Sequence, residues 1–217
     1  MKKIFMALAA VCLISCSKVM SDQNEMRLQK SLLLFYDADK NGILDEEETL
    51  NVTEIHICCL PDYKPLNSLK NYQNLEILWA TACRFTSLDV TQNLKLRELH
   101  CWQNNLKTLY LTNNMELEKL SCSEGKIETI NLGYSPNLTL LSCYENKLTS
   151  LDISSYENLN ILICNDNLLT KLDVSNNPQL QVLYCYSNPN LATLYMKKGQ
   201  TIQQLVKDDH TTIVYLP

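Results

Sequence analysis

From Leu75 onward, apolar side chains return at fixed offsets every 21 residues. With Leu75, Leu96, Leu117, Leu138, Leu159 and Leu180 aligned as position 1, a second leucine falls at position 4. Leucine or isoleucine then recurs at positions 11 and 14, and Val, Leu or Ile at 16. A fixed period of this length marks a solenoid, in which each unit buries its apolar side against the next. Within a rung, positions 3 to 7 read as a short parallel strand. Side chains alternate across a strand, so positions 4 and 6 point inward and 3, 5 and 7 outward.

The pattern frays at both ends. Residues 52–74 form an irregular first rung that opens with Val52-Thr53-Glu54-Ile55-His56-Ile57. Near the other end, Asn188-Pro189-Asn190-Leu191 shifts the register by one residue; Ile202 and Leu205 then mimic positions 1 and 4, and 211–216 reads as a closing strand. Upstream, Met26–Tyr36 is apolar at Met26, Leu28, Leu32, Leu33, Phe35 and Tyr36 without Gly or Pro, which predicts a short amphipathic helix.

Between that helix and the first rung lies Asp37–Glu48, DADKNGILDEEE, which fits D-x-D-x-N-G-x5-E, the calcium loop of an EF-hand. The spacing assigns Asp37, Asp39 and Asn41 as side-chain oxygen donors, Gly42 as the sharp turn and Ile43 as the carbonyl donor. Asp45 would act directly or through water, and Glu48 would close the site with two oxygens. The competing reading is an acidic turn that caps the following helix. A single loop outside the cytosol suits weak, structural calcium binding.

The order LxxLxCxxN resembles the leucine-rich repeat, in the short 21-residue bacterial form that ends in an LDVSNN-like half. SLKNYQNLEIL resembles the longer, internalin-like spacing. The resemblance implies an α/β solenoid: a leucine-rich-repeat arc with short parallel strands on the concave face, a mostly irregular convex side and a helical EF-hand-like N-terminal cap. It also implies that the position-9 asparagines Asn104, Asn146, Asn167 and Asn188 hydrogen-bond the turns of adjacent rungs. An acidic loop followed by VTEI and then repeats looks like the surface lipoproteins of the Bacteroidetes.

The chain opens MKKIFMALAAVCLISCSK, two lysines before an apolar run from Ile4 to Ser15 that is short for a membrane span. Leu13-Ile14-Ser15-Cys16 resembles the bacterial lipobox, which implies cleavage before Cys16 and its acylation. The expected organisation is a signal peptide at 1–15, a tether at 16–25, the cap at 26–51, repeats at 52–200 and a C-terminal cap at 201–217. The membrane would be met through the lipid anchor only, in the outer membrane, facing either the surface or the periplasm.

Composition narrows the partners. The formal charge of the 217 residues is -5, and removing the leader loses Lys2 and Lys3 with no acid, leaving about -7. That argues against nucleic acid. Ten cysteines in an exported chain would ordinarily suggest disulfides. Position 6, however, stacks Cys101, Cys122, Cys143, Cys164 and Cys185 with parallel side chains, where a disulfide needs converging ones. They read as buried free thiols. Cys58 or Cys59 could still pair with Cys83.

On the outward positions fall both tryptophans and several other rings: Trp79, His100, Trp102, Tyr144, Tyr184 and Tyr186. Exposed aromatics among small polar neighbours compose a recognition surface. Glu98, His100 and Ser121 share that face, yet nothing supplies an oxyanion hole or a water-excluding pocket, so no enzyme is expected. The expected role is non-catalytic binding of a protein or glycan at the cell envelope. The alternative is a structural or assembly subunit of an outer-membrane complex.

Overall fold

The computed structural model describes residues 23–58 and 66–217. Cys16, Cys59 and the leader lie outside the described residues. Two short helices, α1 (Gln23–Tyr36) and α2 (Glu46–Leu50), precede the strands. Eight strands build one parallel sheet: β1 (Glu54–Cys58), β2 (Ile77–Thr81), β3 (Glu98–His100), β5 (Lys119–Ser121), β7 (Leu140–Ser142), β8 (Ile161–Ile163), β10 (Val182–Tyr184) and β12 (Gln204–Val206), in that spatial order. On the opposite side, β4 (Thr108–Tyr110) pairs with β6 (Thr129–Asn131), while β9 (Lys171–Asp173), β11 (Thr193–Lys197) and β13 (Thr212–Leu216) form a second small sheet.

The register follows from the period. A step of 21 residues sets leucine over leucine: Leu78 opposite Leu99, then Leu120, Leu141, Leu162 and Leu183. The last step, Leu183 to Leu205, absorbs the shift at Asn188–Leu191. The closing strand at the C-terminus is β13, parallel to β11. All these leucines but Leu205 belong to one continuous buried core, with Leu205 packed partly buried against it.

The cap joins the same core through Leu28, Leu32 and Val52, with Tyr36 and Leu44 packed partly buried against it. Helix α1 begins at Gln23, a turn earlier than the apolar pattern predicts, because its first turn is polar and carries no periodic signal.

Two polar columns close the corners of each rung. At position 9, Asn146 donates through Nδ2 to the carbonyls of Cys122, Cys143 and Tyr144 and accepts from the Ile127 N–H. Asn104, Asn167 and Asn188 repeat this arrangement. The turn they stabilise is strained: Ala82, Gln103, Glu124, Glu145, Asp166 and Ser187, all at position 8, hold φ between 51° and 56°. Such left-handed backbone ordinarily costs a non-glycine residue about 1–2 kcal/mol.

The second column stands at position 19. Asn93, Asn114 and Asn177 each donate to two backbone carbonyls of the stack, and Gln200 does the same after the register shift. The sequence reading missed this column. Its signal, asparagine recurring 21 residues apart in Asn93 and Asn114, is interrupted by Ser135 and Tyr156.

Candidate functional site

The concave sheet presents its outward positions in columns set by the register. Position 5 runs His56, Trp79, His100, Ser121, Ser142, Ile163, Tyr184 and Val206 across the eight strands. Trp102, Tyr144 and Tyr186 stand at position 7, just past the strand ends. The six aromatic residues expected at a partner site therefore share one face. Trp102, Tyr144 and Tyr184 are half-buried, and Tyr186 is 36% exposed.

At the N-terminal end of this face the rings stack. Trp79 lies between two imidazoles: His100 with centroids 3.9 Å apart, and His56 at 5.7 Å, with interplanar angles of 19° and 11°. Both faces of the Trp79 indole are thus covered by the protein itself. His56 was not among the expected residues. It lies 23 residues before Trp79, so the 21-residue period does not point to it.

Carboxylates border the stack. Glu54 contacts His56 Nε2, and Glu98 lies 3.4 Å from His100 Nε2 while accepting from Lys119 Nζ at 2.8 Å. Burial, opposed by Glu98, pushes the His100 pKa below the ordinary histidine value, with Lys119 and His56 acting in the same direction as burial. For Glu98, burial is the largest single effect and acts upward, but hydrogen bonds from Lys119 and His100 outweigh it and hold the pKa low. Further along, the Tyr144 hydroxyl donates to Glu124 at 2.6 Å. That bond, with burial, lifts the tyrosine to about 12.

Beyond the stack the outward positions turn aliphatic. Leu140, Ile161 and Val182 follow one another at position 3, beside Ile163 and Val206 at position 5. The face thus runs from a charged, ring-stacked end to an apolar one. Of the Glu98–His100–Ser121 set, Glu98 is shared between His100 and Lys119, and among the described residues no hydrogen bond joins Ser121 to His100.

Behind the face, Cys101, Cys122, Cys143, Cys164 and Cys185 are free and buried. Burial lifts the thiols of Cys101, Cys143 and Cys185 to about 12, and pushes Cys122 and Cys164 well above their usual value. They are inert packing groups. Cys83 Sγ donates to the Thr81 carbonyl at 3.1 Å. The pairing expected of Cys58 or Cys59 with Cys83 rests in part on Cys59, outside the described residues.

In the acidic loop, ligand oxygens of Asp37, Asp39 and Glu48 come within 4.8 Å of one another. The loop is organised from within. Asp37 accepts from the N–H groups of Asn41 and Gly42, and Asn41 Oδ1 accepts from the Ile43 N–H. Gly42 supplies φ 84° at the turn. Asp45 caps α2 in a capping box with Glu48, whose two oxygens accept from Ala38 and Asp45. Asp37, Asp39 and Glu48 thus converge, while the side-chain oxygens of Asn41 and Asp45 accept hydrogen bonds from the loop and α2 backbone.

Leucine over leucine on a long parallel sheet, thiols behind it and asparagines at the turns define the architecture: a leucine-rich-repeat solenoid. Solved structures with this architecture align along most of the chain. The functional domain of InlJ from Listeria monocytogenes, which includes a cysteine ladder, matches with a TM-score of 0.60 at 24% identity over 88% of this chain. The internalin InlF of the same organism matches with a TM-score of 0.52 at 16% identity over 86%. The chain spans 49% of the InlJ domain and 69% of the InlF chain. No protein-family model matches the sequence, and neither does any curated protein.

Proposed function

We propose that the chain is a non-catalytic binding module whose concave strand face recognises a protein at the cell envelope. The observation that carries this reading is the gathering of Trp102, Tyr144, Tyr184 and Tyr186 on one sheet face, continuous with the aliphatic run Leu140, Ile161 and Val182. Aromatic anchors among apolar neighbours are the composition of protein-binding hot spots. A glycan reading would lean on indole faces free to lie against sugar rings. Trp79 offers none, since His56 and His100 cover it. A protein partner is therefore the better fit, with Trp79 serving to stiffen the N-terminal strands.

The test uses Trp102→Ala combined with Tyr186→Ala. Loss of partner capture with an unchanged unfolding midpoint supports the face. Capture that survives both changes moves the site elsewhere.

In the same reading Cys16 is acylated and holds the protein at the outer membrane, and the Asp37–Glu48 loop takes a calcium ion that serves structure. Hard oxygen donors at the EF-hand spacing suit that ion, and Asp37, Asp39 and Glu48 already converge. Calcium titration followed by calorimetry should show weak binding that Glu48→Ala abolishes. No uptake at millimolar calcium would leave the loop as a helix cap.

A further inference from the structure

The cap carries a feature that neither the repeats nor the loop uses. On α1, Leu28 and Leu32 face the core, while Met26 and Leu34 are 49% and 79% exposed. Residues 26, 30 and 34 share one side of the helix, four residues apart, so exposed Lys30 stands between two exposed apolar side chains. Apolar side chains interleaved with a lysine are the make-up of a helix that lies in a bilayer interface. There the long lysine chain reaches headgroup phosphate while its neighbours enter the acyl boundary.

The chain upstream decides what covers this surface. Six residues, 17–22, separate Cys16 from the start of α1. Fully extended they reach roughly 20 Å, at 3.3–3.6 Å per residue. An acyl chain on Cys16 would therefore keep the start of α1 within about 20 Å of the bilayer, close enough for the helix to reach its surface. We infer that the outer side of α1, Met26, Lys30 and Leu34, rests on the lipid surface as a second membrane contact. This rests on the reading of Cys16 as acylated. The acids of the neighbouring loop, Asp37, Asp39 and Asp45–Glu47, disfavour strongly anionic lipid, so the surface is suited to a mostly zwitterionic one. With the cap on the membrane, the rungs continue outward from it and the strand face is presented clear of the lipid.

The test uses the full chain purified from bacterial membranes, with a Leu34→Trp substitution, in vesicles of phosphatidylethanolamine with a minor share of phosphatidylglycerol. Brominated acyl chains quench indoles that enter the bilayer. Leu34 is exposed, so the substitution leaves the core untouched, and Trp79 and Trp102 provide the unquenched background. The expected result is loss of about half of the added emission, given burial of 5–10 Å into the acyl boundary, with wild-type emission unchanged. Unquenched added emission in protein that is acylated and vesicle-bound overturns the inference. Mass spectrometry of the Cys16 peptide reads the anchor separately. Without the acyl mass the anchor reading fails. Quenching by the same vesicles then still supports the cap contact, and its absence overturns that too.

Discussion

The inward and outward columns of the sheet follow opposite rules. Position 6 carries cysteine on five consecutive rungs and position 4 carries leucine on every strand after Ile55 of β1, whereas position 5, on the same strands, runs His56, Trp79, His100, Ser121, Ser142, Ile163, Tyr184 and Val206. Inward side chains meet the same neighbour at every step, about 4.8 Å away, so one residue that packs well is repeated. Outward side chains also meet cross-strand neighbours, as in the His56–Trp79–His100 stack, but with solvent on one side they can pair in many ways and vary. Repetition therefore marks the scaffold and variation marks the surface available to a partner. Perturbing the two sets of columns should give separable effects.

The largest effect belongs to the thiols. The folded state holds Cys101, Cys143 and Cys185 protonated to about 12, with Cys122 and Cys164 also well above the ordinary 9.0. The unfolded chain releases these protons first. Stability is therefore unaffected below pH 9 and is lost as pH climbs toward 12, by roughly 1.4 kcal/mol per pH unit for each thiol. Denaturant melts should show a steep alkaline collapse, and replacing two ladder cysteines by alanine should make it visibly shallower.

Next comes Asn146→Ala. It strands the Cys122 carbonyl and the Ile127 N–H in a buried corner, while the Cys143 and Tyr144 carbonyls keep Asn167 Nδ2 and the Glu124 N–H, and should cost about 3 kcal/mol in urea melts. Asn114→Ala should cost less, about 2 kcal/mol. Its side chain serves only the carbonyls of Val90 and Asn93, and its own buried Oδ1 has no partner, as in Asn93 and Asn177. Equal costs would mean that the two asparagine columns do the same job. Smallest is the outward pair: Trp102→Ala with Tyr186→Ala should move stability by less than about 0.5 kcal/mol while abolishing partner capture.

The same contrast explains what was legible in the sequence. Leucine, cysteine and position-9 asparagine are imposed by stacking, so they recur at a fixed period and announce strands, register and core together. The position-19 column was harder to see because other side chains donate there: Ser135 to the equivalent Asn114 carbonyl, and Tyr156 to the neighbouring Gly133 carbonyl. Chemistry was preserved there but residue identity was not. The residues expected at a partner site, Trp79, His100, Trp102, Tyr144, Tyr184 and Tyr186, could be placed on one face by counting alone. The stacking of His56 on Trp79 could not, since it depends on an irregular first rung whose length breaks the count. Nor does the pattern show that Lys119 shares Glu98 with His100, because that contact crosses between strands.

The central claim is that a protein partner docks on the varied face of an invariant scaffold. The most direct test installs a photo-cross-linking residue at Trp102, and in parallel at exposed Tyr110 on the opposite side, in cells carrying the full chain. A discrete cross-linked protein from position 102, absent from position 110, is the expected result. No product from position 102, with a discrete product from position 110, would contradict it and move recognition to the convex side.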